Sequence, residues 1–331
     1  MAKTPRKRGG DGDLIFVTGA GGSIGRIVAR TLLNRGYRVR GFGLGEQYYR
    51  EPNFFHDLEQ HGDFRFEIGS ILDQHAVTRA MAGARKVIHL AAMTGSRRTS
   101  EDRLRCFDIN VNGTQRVMAA CVANGVDHVV NLSSSAVYGA PLRNPVTEDE
   151  ILKPQSPYAL SKAAAEEVVA AFAQAFPSLH YTTLRLFNAY GEHCASALAL
   201  DAFVLRVAQG QRPVVNGDGL QQRCYTHAED IADAIIRILK RPVARNRTYN
   251  LGNPDAVISI RDLAELVIDV IAPARNLAVE YKTAGAADTG EVREIWGDIG
   301  RIAGDLEFRP RIGLREGLER IRDGIARCGT A

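Results

Sequence analysis

The sequence predicts an α/β protein built on a doubly wound parallel sheet, with a smaller mixed α/β lobe drawn from its C-terminal part. Three observations predict it. Apolar, β-branched runs alternate with amphipathic helical stretches through the first 190 residues. Those runs are apolar almost end to end, as strands covered on both faces must be. Between the first strand and the first helix stand three glycines at three-residue intervals, Gly19, Gly22 and Gly25.

The expected strands are LIFVT (14–18), YRVRGF (37–42), FRFEI (64–68), KVIHLAA (86–92), HVVNLSS (128–134) and YTTLRLF (181–187). The first helix carries Ile24, Ile27, Val28, Thr31 and Leu32 on one stripe and closes at Gly36, a natural C′ residue. Beyond residue 190 the pattern loosens. It gives a helix near 198–209, an NGDG turn at 216–219, a helix over 229–240 and a strand at 248–252. Ser259 then caps a helix running to Ile271, and a last helix spans about 314–327. The expected organisation is a basic disordered tail (1–12), a sheet domain (13–187 plus about 228–258) and a substrate lobe (about 188–227 plus 259–331).

With 331 residues, 45% hydrophobic and 24% charged, the chain can bury a large core. No apolar run approaches the ~20 residues of a membrane span, and MAKTPRKRGGDGD is not followed by a signal-type apolar segment, so a cytoplasmic location and no membrane partner are expected. The net charge is only +4, and Lys3–Arg8 has no second basic or aromatic cluster to support it, so no nucleic-acid partner is expected. Cys106, Cys121, Cys194, Cys224 and Cys328 are scattered without C-x-x-C pairs, which indicates neither a zinc site nor a disulfide framework. No metal is expected.

Glycines placed as in VTGAGGSIG let the chain turn tightly, let backbone N–H groups approach a pyrophosphate and let the helix pack close to its strand. That is the signature of a Rossmann dinucleotide site, although Ala20 makes the spacing G-x-x-G-x-x-G rather than G-x-G-x-x-G. The acid that usually ends the second strand and holds the cofactor ribose is missing: Gly43 stands there, with Glu46 nearby and Arg38 and Arg40 on the strand. NAD is the expected cofactor, and NADP stays open. Further on, SPYALSK sets Tyr158 and Lys162 four positions apart at the start of a helix with Ser156 as cap and Pro157 in its first turn. Spacing alone does not separate a proton-transfer pair from a solvated helix face.

Taken in order, TGAGGSIG, HLAA (89–92), NVNGT (110–114), SSSAVYG (133–139) and YALSK (158–162) resemble the extended short-chain dehydrogenase/reductase family, in its nucleotide-sugar epimerase and dehydratase branch. The resemblance spans roughly 13–325. It implies that Tyr158 is the general base and acid, that Lys162 binds the nicotinamide ribose and favours the phenolate, and that Ser134 hydrogen-bonds the reacting sugar oxygen. It further implies a cofactor site from Gly19, Gly22, Ser23, Ile24, Gly25, Ser70, Ile71, Leu90, Ala91, Ala92, Tyr158 and Lys162, with Ser70 where an adenine-contacting Asp is common. Free tyrosine titrates near pH ~10, so a base at neutrality needs an ammonium and the positive nicotinamide beside it.

Within that family, dehydratases place Asp-Glu directly after the Ser or Thr, and decarboxylases a Glu two positions after it. Here those positions are Ser135 and Ala136, which cannot act as the acid that expels a hydroxyl. The resemblance therefore implies an NAD(P)-dependent 4-epimerase, working through a transient 4-keto nucleotide sugar. A 4-ketoreductase with the same triad and a non-catalytic NAD(P) sensor are the other readings. By the same resemblance Ser134, Ser135, Tyr158, Asn188 and Arg223 line the substrate, Arg223 as a phosphate ligand. Asp288 stands near the place of a second phosphate-binding arginine, with Arg293 beyond it. Alanine-rich helices over 103–123 and 157–175 imply a homodimer through a four-helix bundle. His89 reads as a satisfied core histidine and Cys194 as inert.

Overall fold

The computed structural model describes residues 13–50, 52–192, 199–283 and 292–328. The basic tail, Cys194 and Asp288 lie outside them. Seven parallel strands form the main sheet: β1 (Leu14–Thr18), β2 (Arg38–Gly43), β3 (Phe64–Ile68), β4 (Lys86–His89), β5 (His128–Ser134), β6 (His180–Leu186) and a seventh, Arg247–Leu251. Their spatial order is seventh, β6, β5, β4, β1, β2, β3. Strand order therefore reverses between β1 and β4, whose ends pair Thr18 with His89. Ligand crevices of doubly wound sheets open at that reversal, beyond the carboxyl ends of the strands.

Both faces are covered over the central strands β1, β4 and β5, which are buried nearly end to end, while the edge strand β3 leaves Arg65 and Ile68 exposed. On one side α1 (Ser23–Asn34) and the helix Ala228–Lys240 bury Val28, Leu32, Ile231 and Ile235 against Ile15, Val17 and Ile88. On the other, the helices Gln74–Ala80, Gly113–Ala123 and Pro157–Ala175 bring Val77, Val117, Met118 and Val169 against Phe16, Val87 and Val129. Each such side chain contributes about 1.5–3 kcal/mol on leaving water. A separate core, with Leu200, Phe203, Leu263, Val267 and Leu318, joins the helices Ala199–Ala208, Ile260–Ile271 and Leu314–Cys328.

Three expectations change. Ile299, Ile302, Leu306 and Phe308 pack into the sheet-side core, so the segment 259–331 is not all lobe. The strand expected over 86–92 ends at His89: the Leu90 amide makes the last backbone bond to β1, on the Thr18 carbonyl, and the Ala91 amide turns to the Thr18 hydroxyl beside the glycine loop. The helix expected over 103–123 breaks into Arg103–Phe107, a π-helical turn Asp108–Asn112 and Gly113–Ala123. At the break Asn110 is turned inward to distant partners: it accepts from the Met93 amide at 2.7 Å and donates to the Ser161 hydroxyl at 2.9 Å. π-Turns inside helices concentrate at functional sites.

Candidate active site

The glycine loop is a cradle closed by backbone. Gly19 has φ +70°, and a methyl group on it would stand 2.7 Å from the Ala91 nitrogen. A methyl on Gly25 would overlap the Gly19 carbonyl oxygen. Gly22 begins α1 without a side-chain cap, leaving the first-turn N–H groups of Ser23, Ile24 and Gly25 with no acceptor inside the helix. These amides, at the positive end of α1 and beside the strand-order reversal, suit a pyrophosphate. The residues present fit a dinucleotide.

Neighbouring loops complete that end. Ser70 caps its own turn, accepting from the Leu72 amide at 3.2 Å, and Ile71 is buried in the space left by Gly113. Gly43 is buried at the end of β2, and its place is overlooked by a residue the sequence reading missed. The Gln47 amide oxygen would lie 2.8 Å from a methyl on Gly21 and 3.5 Å from one on Gly43. Glu46 is exposed. Arg40 is committed elsewhere, to the carbonyls of Ala80 and Ala82 and to Glu67, while Arg38 is exposed at the opposite end of β2. Only the fold could reveal Gln47, since its role depends on a short helix (Gly45–Arg50) folding back over the glycines.

The helix Pro157–Ala175 starts as its sequence dictates, with Pro157 in the first turn and the Ser156 hydroxyl accepting from the Ala159 amide at 3.1 Å. This cap sets Tyr158 against the end of β5, where its hydroxyl is hydrogen-bonded to Ser134. Ser134 in turn accepts from the Ala136 amide at 3.2 Å, while Ser135 opens the short turn Ser135–Tyr138. Burial raises the Tyr158 phenol above its ordinary value, and the Ser134 hydrogen bond works against that. Lys162 is buried, and its ammonium donates to the Leu132 carbonyl at 2.5 Å. Burial brings that lysine down to about 8, with Glu166 and then Cys106 opposing the fall. The expected lowering of the phenol is therefore not supplied by the chain alone: burial dominates, and the ammonium is directed at β5.

His89 is the satisfied core residue the sequence suggested. Its Nδ1 lies 2.7 Å from the Thr18 hydroxyl and its Nε2 3.0 Å from that of Thr114, which donates onward to the Asn110 carbonyl. That chain requires the neutral tautomer with the proton on Nε2, consistent with burial, and secondarily Lys162, pushing it to about 3. Asn188 follows β6, where Leu186 pairs with Ser134, and it donates to the Cys224 carbonyl at 3.0 Å. Arg223 is adjacent, donating to the Gln222 and Arg293 carbonyls, while the Arg293 guanidinium pairs with Asp218 at 3.0 Å. The two arginines are thus brought side by side, a proximity their 70-residue separation conceals.

A doubly wound sheet with a glycine cradle at its reversal and a Tyr, Ser and Lys gathered at the next strand end defines a dinucleotide-dependent enzyme of the extended short-chain dehydrogenase/reductase type. The chain belongs to the NAD dependent epimerase/dehydratase family, whose model matches residues 15–252. It is 33% identical to a dTDP-glucose 4,6-dehydratase of Streptomyces griseus over 92% of this chain and 91% of that one. It is 30% identical to a UDP-glucuronate 4-epimerase of Thermodesulfobacterium geofontis over 92% and 94%. Among solved structures, MoeE5 in complex with UDP-glucuronic acid and NAD superposes with a TM-score of 0.84 at 30% identity, covering 96% of this chain and 100% of that one. The expected family, fold class, enzymatic nature and NAD dependence hold. Among the described residues no helix is long and apolar enough to cross a membrane, and no cluster of three metal-ligating side chains occurs.

Proposed function

We propose that the protein is an NAD-dependent 4-epimerase of a nucleotide sugar. NAD, when bound, supplies a hydride acceptor and donor at the sugar carbon. The chain supplies the proton chemistry: Tyr158 takes the proton of the 4-hydroxyl and returns it, and Ser134 hydrogen-bonds that oxygen as charge develops on it. Lys162 would reach the nicotinamide ribose, and its charge, the positive nicotinamide and the Ser134 hydrogen bond would together oppose the burial that raises the phenol. The amides of Ser23, Ile24 and Gly25 would hold the pyrophosphate, with Gly19 and Gly22 keeping the cradle open. Ser70 and Ile71 would serve the adenine end, and Leu90, Ala91 and Ala92 would wall the cofactor on the β4 side. Asn188 and Arg223 serve the substrate's diphosphate, and Arg293 is the natural second cation there.

One observation carries the choice of reaction: Ser135 and Ala136 follow Ser134, so the turn presents no carboxylic acid at the two positions where elimination or decarboxylation would use one. This matters because relatives of similar identity bear both dehydratase and epimerase names. UDP-glucose and UDP-glucuronic acid, with which MoeE5 was solved, are the first substrates to try. Incubation with either and NAD, followed by NMR of the sugar, should give the C4 epimer with no net reduction of cofactor. A 4-keto-6-deoxy product would assign the chain to the dehydratases, and consumption of reduced cofactor to the ketoreductases. Tyr158→Phe should lose about 10²–10⁴-fold in turnover while folding and binding NAD; full activity in that variant would sink the mechanism. We assign the exposed face carrying Leu104 and Leu160 to homodimer formation, which light scattering of the purified protein tests.

A further inference from the structure

The helix Pro157–Ala175 meets the end of β5 at three points, not two. Tyr158 is hydrogen-bonded to Ser134, and Lys162 donates to the Leu132 carbonyl at 2.5 Å. One turn further along the helix, Glu166 accepts from the Ser133 hydroxyl at 2.5 Å. Positions four apart share a helix face, so 158, 162 and 166 form a ladder on the consecutive strand residues 132–134.

Glu166 is itself gripped from the next strand. Arg185 on β6 is the register partner of Ser133, and its NH2 donates to the Glu166 carboxylate at 2.8 Å and its Nε at 3.2 Å. The side chains of this pair are 9% and 8% exposed. The other guanidinium nitrogen, NH1, donates to the Tyr138 hydroxyl at 3.0 Å and to the Glu148 carbonyl at 3.0 Å, bracing the turn that follows Ser134. A guanidinium and a hydroxyl thus both donate to one buried carboxylate.

We propose that Glu166 is a positioning residue of the catalytic face: clamped by Ser133 and Arg185, its carboxylate keeps the neighbouring Lys162 ammonium charged and seated on the Leu132 carbonyl. The inference rests on the reading of Tyr158 and Lys162 given above. A lysine stripped of solvent sheds its proton easily, and one carboxylate on the same helix face opposes that. Every other titratable group facing Lys162 gives less. His89 on β4 is neutral and held far below its ordinary value, Cys106 on the helix Arg103–Phe107 opposes the fall less than Glu166 does, Tyr158 is engaged with Ser134, and Arg185 is a cation held beyond Glu166.

The test compares Glu166→Gln and Glu166→Asp with wild type in the full chain. It reads the alkaline limb of turnover against pH and the NAD affinity measured calorimetrically between pH 6.5 and 9. In Glu166→Gln the limb and the affinity midpoint should both move to lower pH by about one unit, so that loss at pH 8.5 exceeds loss at pH 6.5 by about tenfold. Glu166→Asp should fall between wild type and Glu166→Gln. A purely structural role would depress activity equally at every pH. Coincident limbs for wild type and Glu166→Gln overturn the inference. Should Glu166→Gln fail to fold, the position of the Glu166→Asp limb decides in the same way. Lys162→Met with unchanged NAD affinity and turnover would instead sink the assignment of Lys162 itself, a separate outcome.

Discussion

Lys162 donates its ammonium proton to the carbonyl oxygen of Leu132 across 2.5 Å, deep between the helix that carries it and the strand that carries Ser134. Few arrangements cost a protein more than a buried cation, and the fold pays that cost at the point where the chemistry proposed above requires one. Tyr158 and Lys162 thus share a helix face but hold different partners: the first engages Ser134, the second the strand backbone two residues earlier.

The buried lysine sets a sign for stability against pH. Burial takes Lys162 from its ordinary 10.5 to about 8. Between those values the unfolded chain holds the proton and the folded chain does not, so this group's contribution to stability rises with pH through that window. Wild type should gain on the order of 3 kcal/mol relative to Lys162→Met on going from pH 7.5 to pH 10.5. Urea unfolding of both proteins at the two pH values measures it. Parallel stabilities across the window would remove the lysine from a desolvated site.

The glycine cradle gives a prediction from steric contact alone. Gly25 lies within α1 with an ordinary helical backbone, so Gly25→Ala adds no dihedral strain, yet the added methyl would overlap the Gly19 carbonyl oxygen. Either the loop or the helix must give, at about 1–3 kcal/mol in stability. NAD affinity should fall by at least about tenfold, because the amides aimed at the pyrophosphate move with the loop. Thermal unfolding and calorimetric titration read the two effects separately, and an alanine variant with unaltered NAD affinity would dissociate the cradle from the cofactor.

Much of this was legible in the chain before folding. LIFVT, FRFEI and HVVNLSS occupy strands with the bounds their runs suggest, 14–18, 64–68 and 128–134: β1 and β5 are buried on both faces, and the edge strand β3 alternates Phe64 and Phe66 with Arg65 and Glu67. Ser156, Pro157 and Ser259 announced their helices through local capping chemistry, which needs no tertiary information. Residues whose roles depend on distant partners were silent. Glu166 reads as one more charge on an alanine-rich helix until Arg185, on a strand beginning after that helix ends, closes over it. Likewise the π-turn at Asn110 has ordinary helical periodicity, and the partner of that side chain, the Met93 amide, lies in a loop 17 residues earlier. Arg223 and Arg293 meet only because short strands around Gln222 and Glu294 pair in parallel.

Gln47 offers the last prediction, on the choice between NAD and NADP. The usual acid at the end of β2 is replaced by the buried Gly43, whose place is covered by the Gln47 amide. An amide can accept from and donate to ribose hydroxyls but carries no charge to repel a 2′-phosphate. The strand's own arginines do not supply the opposite preference, since Arg40 is bonded to Ala80 and Ala82 and Arg38 sits at the far end of the strand. Discrimination in the wild type should therefore be modest and in favour of NAD. Gln47→Glu, placing a carboxylate over the same two glycines, should widen the NAD to NADP affinity ratio by about tenfold, and Gln47→Arg should narrow or invert it. Paired titrations with the two cofactors measure the ratio directly. A ratio indifferent to both substitutions would mean that the ribose is read from somewhere other than the helix Gly45–Arg50.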